Sequence, residues 1–531
     1  MRDSNSSSST DRPIFAATLL LLVLASCAWP VHADDNTCVF LSQANFRSIQ
    51  DASTQIILSR PIPATESEPA HCLASGYVEP NIGIQLRLPA AWNGKLLKLG
   101  CAGHCGMAGD DYLPMKCAAG LRKGYACLTS DMGHSGLILD GMWGQGNLQA
   151  KVDWGYRATH VATVAAKEIV RHYYGSAAKK SYFVGCSTGG RQGLQEAQRF
   201  PWDFDGIVAG APPVKLSNIY MTLAWGMRST HDANGKPLLS TANLQLLHQA
   251  AVRKCDLDDG VKDGVISDPF RCGFDPAELA CSKDHSEGCL APSQVEAAKK
   301  VYAGPATSSG QALTLGGPMI GSEFDGWQTF VGAGDAPPTY DQLTRDGLRY
   351  LFFATDPGAN WQPSDFDFDR DYQRLDLLQS LYASNDVDLR RFKKAGGKLL
   401  VFHGLADEAV IARDSVEYYE TVERVMGGRA ETQDFFRLFL LPGVGHCSGG
   451  PGADTVDYLS AIEDWVESNR PPERLIASRM KTFDRARPFW THVEGDIEFT
   501  RPLHPYPSKA LFKGKGDWKD AANFKRVPAA P

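Results

Sequence analysis

The sequence predicts an α/β fold in which helices cover both faces of a mostly parallel sheet and one large segment is inserted into it. Short apolar runs bounded by Gly, Pro or Asp are typical of parallel strands, because such strands are buried on both faces. Amphipathic stretches lie between these runs, and this alternation is the pattern of a doubly wound sheet. The alternation stops between residues 214 and 390, which predicts a separate unit inserted between two core strands.

The elements of this fold can be placed in order along the chain. The predicted strands cover residues 96–100, 125–130, 181–185, 206–211, 398–403 and 437–441. The predicted helices cover residues 154–174, 190–200, 411–426 and 454–468. We therefore expect a core made of residues 34–213 and 391–531, with residues 214–390 as the inserted domain.

Length and composition narrow the class of protein. A chain of 531 residues is long enough for a core domain with a large insertion. Hydrophobic residues make up 43% and charged residues 22%, which excludes global disorder. The net charge is −7, from 54 Lys and Arg against 61 Asp and Glu, and no basic run is present. These charges argue against nucleic acid as the partner.

The N-terminus predicts export. Residues 14–28 are the only long apolar run, and they are shorter than the roughly 20 residues needed to span a bilayer. A basic residue precedes the run and small residues follow it, as in a secretory signal, which we place at residues 1–33. Alternatively, residues 24–27 match a bacterial lipobox, so the signal would end before a lipidated Cys27. The protein is then secreted or periplasmic, or a membrane-anchored lipoprotein without a membrane span.

The cysteines agree with export. Apart from Cys27 there are twelve, and an even set in an exported protein predicts disulfides. Cys101, Cys105, Cys117 and Cys127 allow three pairings, among which the sequence does not choose. A zinc site is the alternative, since Cys101 and Cys105 could form half of one, but no second half with matching spacing follows.

A candidate nucleophile lies between a predicted strand and a predicted helix. Residues 185–189 read Gly-Cys-Ser-Thr-Gly, and Ser187 is at the centre of this Gly-x-Ser-x-Gly pattern. This context is that of the nucleophile elbow of α/β-hydrolases, where a tight turn exposes the serine above the sheet. The alternative is a glycine-rich turn with an incidental serine. The strand before the turn and the helix after it favour the catalytic interpretation.

The elbow predicts the other members of a catalytic triad. In this fold an acid and then a histidine follow the serine, each in a loop after a later strand. Asp407 follows the predicted strand 398–403, and His446 follows the strand 437–441. His446 would accept the Ser187 proton, and Asp407 would orient the imidazole. Glu408 is the rival acid.

Two cysteines flank these residues. Cys186 precedes the nucleophile and Cys447 follows the histidine. If Ser187 and His446 touch, the two cysteines come within the Cα separation of about 4.4–6.8 Å that a disulfide allows. We therefore predict a Cys186–Cys447 bridge that holds the histidine loop against the elbow.

Three longer motifs carry a family resemblance. GCSTGGRQGLQEAQRFPWDFDGIVAGAPP, HGLADEAV and LPGVGHCSGGPG resemble the tannase/feruloyl esterase family, over about residues 75 to 510. The resemblance implies an α/β-hydrolase fold with a large inserted lid domain and an esterase with the triad Ser187, Asp407 and His446. It also implies the bridge between Cys186 and Cys447.

The resemblance further implies a structural calcium ion in the lid and no organic cofactor. The matching segment, residues 255–265, holds four carboxylates within eight residues, which repel one another unless a cation or solvent intervenes. The implied ligands are the side chains of Asp256, Asp259 and Asp263 and the carbonyls of Val261 and Val265. The alternative is a solvated acidic turn. Two further bridges are implied around this loop, Cys255–Cys272 and Cys281–Cys289.

An oxyanion hole needs two backbone N–H groups, one after the nucleophile and one from an early glycine-rich loop. The first is that of Thr188. The second should lie in residues 100–106, where we choose Gly103 and rank Ala102 next. Here the chain departs from the glycine-rich runs of the family, because cysteines and a histidine interrupt them.

The expected substrate is a small ester of an aromatic acid, since the family acts on galloyl, feruloyl and terephthaloyl groups. Trp327 could stack on such a ring, and Arg345 and Arg349 could bind a carboxylate or phenol. For each the alternative is lid core or surface, because aromatic residues are usually buried. Two other functions remain open, a catalytically silent binding protein of this fold and a serine peptidase.

Overall fold

The computed structural model describes residues 35–109, 116–282, 287–332, 337–484 and 486–528. The predicted secretory signal and Cys27 lie outside these residues. The strands are β1 Thr54–Ile62, β2 His71–Val78, β3 Ile82–Pro89, β4 Lys95–Leu99, β5 Ala126–Ser130, β6 Lys180–Cys186, β7 Gly206–Gly210, β8 Lys398–Gly404, β9 Phe436–Leu441, β10 Thr455–Val456, β11 Leu475–Met480, β12 Ile497–Leu503, β13 Lys509–Phe512 and β14 Phe524–Val527.

Helices fill most of the remaining chain. The α-helices are α1 Asp35–Phe40, α2 Ala118–Arg122, α3 Leu148–Val152, α4 Ala158–Tyr174, α5 Thr188–Arg199, α6 Leu216–Thr230, α7 Thr241–Cys255, α8 Pro292–Ala303, α9 Glu323–Gly326, α10 Gln328–Val331, α11 Asp341–Asp346, α12 Asp371–Arg374, α13 Asp376–Tyr382, α14 Arg390–Lys394, α15 Ala412–Val425, α16 Arg429–Gln433 and α17 Tyr458–Ser468. Short 3₁₀ turns are Leu41–Gln43, Met142–Gly144, Asp256–Asp259, Pro276–Leu279, Pro363–Asp365 and Ala521–Asn523, and π turns are Asp153–Arg157 and Gly347–Phe352.

Within the described residues, β1 to β9 form one nine-stranded sheet in the order β1-β2-β3-β5-β4-β6-β7-β8-β9. The six strands from β5 to β9 in this order are parallel to one another, whereas the pairings β1–β2, β2–β3 and β3–β5 are antiparallel. The six parallel strands are those predicted from the apolar runs. No predicted end differs from the observed end by more than one residue. The predicted α/β class is therefore confirmed.

Helices cover both faces of the parallel part, and the alternation of side chains along β6 shows why. Tyr182 and Val184 pack in one cluster with apolar residues of α2 and α17. Phe183, which points the other way, packs with residues of α5 and α15. All three side chains are buried, because successive side chains of a strand point to opposite faces and both faces are covered.

The inserted segment lies between two neighbouring strands. β7 ends at Gly210 and β8 begins at Lys398, yet the two strands pair in parallel. The chain between them carries α6 to α14 in its described parts. It leaves after β7, whose last residue Gly210 lies beside Cys186 at the end of β6. The two ends of the insertion meet where the Ser384 N–H donates to the Val214 carbonyl at 3.1 Å. The exact domain limits, 214–390, stay a prediction.

The sheet has additions that the apolar runs do not predict. β1, β2 and β3 extend it at one edge, and a bulge between Ile56 and Leu58 interrupts the burial pattern of β1. After α17, strands β10 to β12 form a three-stranded sheet and β13 and β14 a two-stranded ribbon. Most of these strands mix apolar and polar residues, which is a weaker signal than the apolar runs of the buried parallel strands.

Candidate active site

Ser187 lies on a sharp turn between β6 and α5. Its backbone has φ +61° and ψ −124°, a strained conformation for a residue with a side chain. The turn is held by a hydrogen bond from the Ser187 N–H to the Gly210 carbonyl on β7, at 3.0 Å. It also needs Gly185, since a Cβ there would lie 2.6 Å from the backbone of Gly189. This is the geometry of a nucleophile elbow.

Asp407 lies in the loop that follows β8. Its Oδ1 accepts hydrogen bonds from the N–H groups of Ala409 (3.0 Å) and Val410 (2.8 Å). Its Oδ2 is 3.4 Å from Nε2 of His403, whose imidazole is fully buried. These contacts hold the carboxylate in one orientation, with Oδ2 directed at the next loop.

His446 lies in the loop that follows β9 and connects the other two residues. Its Nε2 is 2.9 Å from Ser187 Oγ, and its Nδ1 is 2.8 Å from Asp407 Oδ2. The structure thus brings the three predicted residues together in the order serine, imidazole, carboxylate. With the Nδ1 proton donated to Asp407, Nε2 is free to accept the serine proton.

The charges around Ser187, Asp407 and His446 favour the protonated, positively charged form of the His446 imidazole. Burial by itself would raise the pKa of Asp407, but the imidazoles of His446 and His403 outweigh it and hold that pKa well below its usual range. Burial likewise opposes a charged His446, yet the charge and hydrogen bond of Asp407, with Glu408 as a smaller contributor, raise the pKa of His446 above its ordinary value. An imidazole of this kind is a strong base toward a hydroxyl.

Glu408, the rival acid, has a different place. Its side chain is buried, and burial together with the Asp407 charge raises the pKa of Glu408 to about 7. The hydrogen bond to Nδ1 of His446 comes from Asp407 and not from Glu408. Asp407 is therefore the residue that orients the imidazole, and Glu408 acts on it only through its charge.

A disulfide joins the two loops that meet at the site. Cys186 and Cys447 are bonded, with their Cα atoms 6.0 Å apart, across 261 residues of sequence. Because each cysteine is adjacent to a reacting residue, the bond restrains the separation of Ser187 and His446.

We expect the Cys186→Ser, Cys447→Ser double variant to lose about 10–100-fold in kcat, because small displacements of reacting groups cost about that much. Its Tm should fall as well, since the bond closes a very long loop in the unfolded chain. Ester turnover and thermal unfolding measure the two effects. The matched control removes the lid bridge Cys281–Cys289, whose loss should leave kcat within about 3-fold. Equal kcat in both double variants would refute this role of the bridge.

The two residues predicted for the oxyanion hole are neighbours. Thr188 begins α5, so its N–H has no acceptor within the helix. Its hydroxyl donates to the carbonyl of Gly103 at 2.6 Å. Gly103 has φ +52°, and a Cβ there would lie 2.2 Å from the Ile138 carbonyl, so only glycine fits. The early loop and the start of α5 are thereby joined directly beside Ser187.

The acidic loop of the insertion is compact. Asp256 Oδ1 accepts the N–H groups of Asp263 (3.2 Å) and Gly264 (3.1 Å), and Asp259 Oδ1 accepts that of Val261 (3.0 Å). Asp256 and Asp259 are buried, and burial raises the pKa of Asp259 to about 6. Asp263 forms an ion pair with Arg501 of β12. Buried carboxylates of this kind are costly without a cation, so the donor set fits calcium.

The described residues form six disulfides, and they decide the pairings that the sequence left open. The bridges are Cys38–Cys72, Cys101–Cys105, Cys117–Cys127, Cys186–Cys447, Cys255–Cys272 and Cys281–Cys289. Such a set fits an extracellular or otherwise oxidising compartment. In the parts of the chain that the structure describes, no helix is both long and apolar enough to cross a bilayer.

The lid residues suggested for substrate binding are engaged elsewhere. Trp327 is fully buried and donates its indole N–H to Ser322, so it packs the core of the inserted segment and has no face left for a ligand, which corrects the expected stacking role. Arg345 pairs with carboxylates of its own helix. Arg349 is nearly buried against Asp356. A substrate carboxylate would have to compete with these partners.

One residue that sequence reasoning missed is Gln192, on the same face of α5 as Thr188. It is buried, and its amide contacts Cys101 beside the predicted oxyanion donors. Gln192 lies one turn after Thr188 within the motif STGGRQG, and this spacing could have predicted that both residues face the same loop.

The parallel sheet, the elbow and the loops after β8 and β9 define the class of α/β-hydrolases. The family model described as tannase and feruloyl esterase matches residues 70–527, which is most of the chain. The chain belongs to the tannase and feruloyl esterase family, and it is a carboxylic ester hydrolase.

Named relatives agree with this assignment. The mono(2-hydroxyethyl) terephthalate hydrolase of Piscinibacter sakaiensis is 34% identical, with 87% of this chain and 86% of that protein covered. A probable feruloyl esterase B-2 of Aspergillus flavus is 31% identical over 77% of this chain and 80% of that protein. The crystal structure of feruloyl esterase B from Aspergillus oryzae is similar at a TM-score of 0.78 and 26% identity, covering 93% of this chain and all of that one.

Proposed function

We propose that this protein is an exported serine esterase that cleaves esters of aromatic acids through an acyl-enzyme. The observation that carries the proposal is the 2.9 Å separation of Ser187 Oγ and His446 Nε2, with Nδ1 of the same imidazole 2.8 Å from Asp407. A hydroxyl, a base and an orienting carboxylate in this order are the requirements for nucleophilic attack on an acyl carbon.

Acylation begins when Nε2 of His446 accepts the Ser187 proton as Oγ bonds to the ester carbonyl carbon. The carbonyl oxygen becomes an oxyanion, for which the N–H groups of Thr188 and Gly103 are the donors. The C–O bond to the alcohol then breaks, and the imidazolium returns its proton to the departing alcohol oxygen. Asp407 stabilises the imidazolium while it exists.

Deacylation repeats these steps with water. His446 accepts a proton from the water molecule as its oxygen attacks the acyl carbon. The second oxyanion collapses, the bond to Ser187 Oγ breaks, and the proton on Nε2 returns to the serine. The aromatic acid leaves, and the hydroxyl is restored.

The substrate class rests on the relatives. Feruloyl esterase and mono(2-hydroxyethyl) terephthalate hydrolase are both named for esters of aromatic acids. The insertion leaves the core shortly after the end of β7, which lies beside Cys186 and the elbow, where a lid would cover the acyl group. Export is supported by the apolar run near the N-terminus and by the disulfides. Attachment of a lipid at Cys27 is the alternative form of export.

The test compares esters with an amide. Purified protein is treated with a fluorophosphonate probe and assayed with methyl ferulate, methyl gallate, a terephthalate monoester and a peptide amide. We expect labelling at Ser187 and turnover of at least one aromatic ester. No labelling would favour a silent binding protein, and turnover of the amide alone would favour a peptidase. Turnover of aliphatic esters only would overturn the aromatic substrate class.

We also propose that the loop at residues 255–265 binds calcium. Asp256 and Asp259 each use one carboxylate oxygen for backbone N–H groups and have a second oxygen for a metal. Asp263 accepts the Val265 N–H at Oδ1 and pairs with Arg501 through Oδ2, so a metal would share this carboxylate with the arginine. The carbonyls of Val261 and Val265 complete the set. When bound, the ion neutralises these carboxylates and stabilises the lid.

Removing the ion should lower the stability of the protein. A ligand that binds only the folded state stabilises it by about 2.7 kcal/mol at 100 times its Kd. We therefore expect dialysis against a chelator to lower Tm by several degrees, and calcium to restore it. Asp259→Asn should lose most of this response, whereas Asp258→Asn, on an exposed side chain of the same turn, should keep it. A Tm that ignores both chelator and calcium would refute the site.

A further inference from the structure

The loop after β4 is closed by its own disulfide. Cys101 and Cys105 are bonded with their Cα atoms 5.4 Å apart, and the Cys105 N–H donates to the Ala102 carbonyl at 2.9 Å. Gly103 lies at the centre of this five-residue ring. The proposed second oxyanion donor is thus in a part of the loop whose ends are covalently joined.

The nucleophile helix holds this ring from one side. Thr188 donates its hydroxyl to the Gly103 carbonyl at 2.6 Å. One turn further along α5, Gln192 donates from Nε2 to Cys101 Sγ at 2.9 Å and accepts the Cys101 N–H at 3.4 Å. The helix that carries the first oxyanion donor therefore also fixes the loop that carries the second.

The inserted domain holds the ring from the other side. His104 is fully buried, and its Nε2 is hydrogen-bonded to the hydroxyl of Tyr220 on α6 at 2.8 Å. The backbone N–H of His104 donates to the Ile138 carbonyl at 2.7 Å. Burial lowers the pKa of His104 to about 3, so the imidazole that contacts Tyr220 is uncharged at neutral pH. The disulfide-closed ring of residues 101–105 is consequently held between α5 and α6.

We infer that the Cys101–Cys105 disulfide and Gln192 are positioning elements of the oxyanion hole, an inference that rests on the proposed esterase function. Donors in an oxyanion hole act by being fixed before charge develops, at about 2.7–3.1 Å from the developing oxyanion. A five-residue ring has few conformations, and its contacts with Gln192 set its position relative to Thr188. The bridge therefore acts on the transition state and not on the binding of the uncharged ester.

The test is the Cys101→Ser, Cys105→Ser double variant. We expect kcat to fall about 10–100-fold, less than the roughly 100–1,000-fold loss on removing one oxyanion donor, because the donor is displaced and not deleted. KM should change less than about 3-fold. The affinity for an aryl boronic acid, which forms a tetrahedral anion on the serine, should fall by a similar factor. The affinity for the product acid should not change. The Cys117→Ser, Cys127→Ser variant, which removes another local bridge of the same region, should keep kcat within about 2-fold.

A second variant keeps the disulfide and covers the case in which the double variant does not fold. Gln192→Leu removes both contacts with Cys101 at similar side-chain volume, and we expect about a 3–10-fold fall in kcat with the same pattern for boronate and product acid. The inference is overturned if either variant keeps kcat within about 2-fold. It is also overturned if boronate and product affinity fall equally, which would indicate a general structural loss. Failure of the wild type to hydrolyse any ester would instead overturn the proposed function, before any variant is made.

Discussion

Replacing Ser187 by alanine should lower kcat by about 10⁶-fold, the loss seen when a nucleophile of a triad is removed. The reason is geometric, since Ser187 Oγ is the hydroxyl placed 2.9 Å from the imidazole base. Turnover of the best aromatic ester measures the loss, and mass spectrometry after fluorophosphonate treatment checks that the label is gone. The fold should persist, because the substitution removes one oxygen from a half-buried side chain.

A matched control separates this loss from handling effects. Ser309→Ala changes an exposed serine of the inserted domain and should leave both turnover and labelling as in the wild type. If Ser187→Ala kept more than a hundredth of the activity with pure protein, another nucleophile would have to be sought.

Replacing Asp407 by asparagine should lower kcat by about 10⁴-fold. An amide at this position can donate its N–H₂ to Nδ1 of His446, which stabilises the tautomer whose Nε2 carries the proton and cannot accept one from serine. Glu408→Gln should cost far less, within about 10-fold, because Glu408 does not make the hydrogen bond to Nδ1. A larger loss for Glu408→Gln than for Asp407→Asn would reverse the assignment of the acid.

Glu408→Gln should also differ from the wild type in the pH dependence of kcat/KM. The kcat/KM of the wild type should fall on acidification, because a protonated His446 cannot act as the base. The Glu408 charge raises the pKa of His446, so its removal lowers that pKa. The acidic limb of the profile for Glu408→Gln should therefore lie at lower pH than in the wild type. A limb that stays in place would show that Glu408 carries no charge in the active form, and a limb that moves to higher pH would contradict the direction of this interaction.

The comparison of prediction and structure is clearest at the strands. Continuous apolar runs such as residues 398–403 predicted β8 within one residue. β3 was missed, although its large aliphatic residues Ile82, Ile84, Leu86 and Leu88 alternate along the strand and are buried. Alternation over one short segment is a weaker signal than a continuous run, and β3 lies in the antiparallel part of the sheet.

Local patterns in the sequence were enough to place Ser187, Asp407 and His446 in their loops, because each lies at the end of a strand whose own residues specify it. The choice between Asp407 and Glu408, the partner of Cys101 and the burial of Trp327 were decided only by tertiary structure. Adjacent or closely spaced residues share nearly the same local pattern, so nothing along the chain distinguishes them. What separates them is the direction of a side chain relative to distant segments, which exists only after β8, β9 and the insertion have packed together.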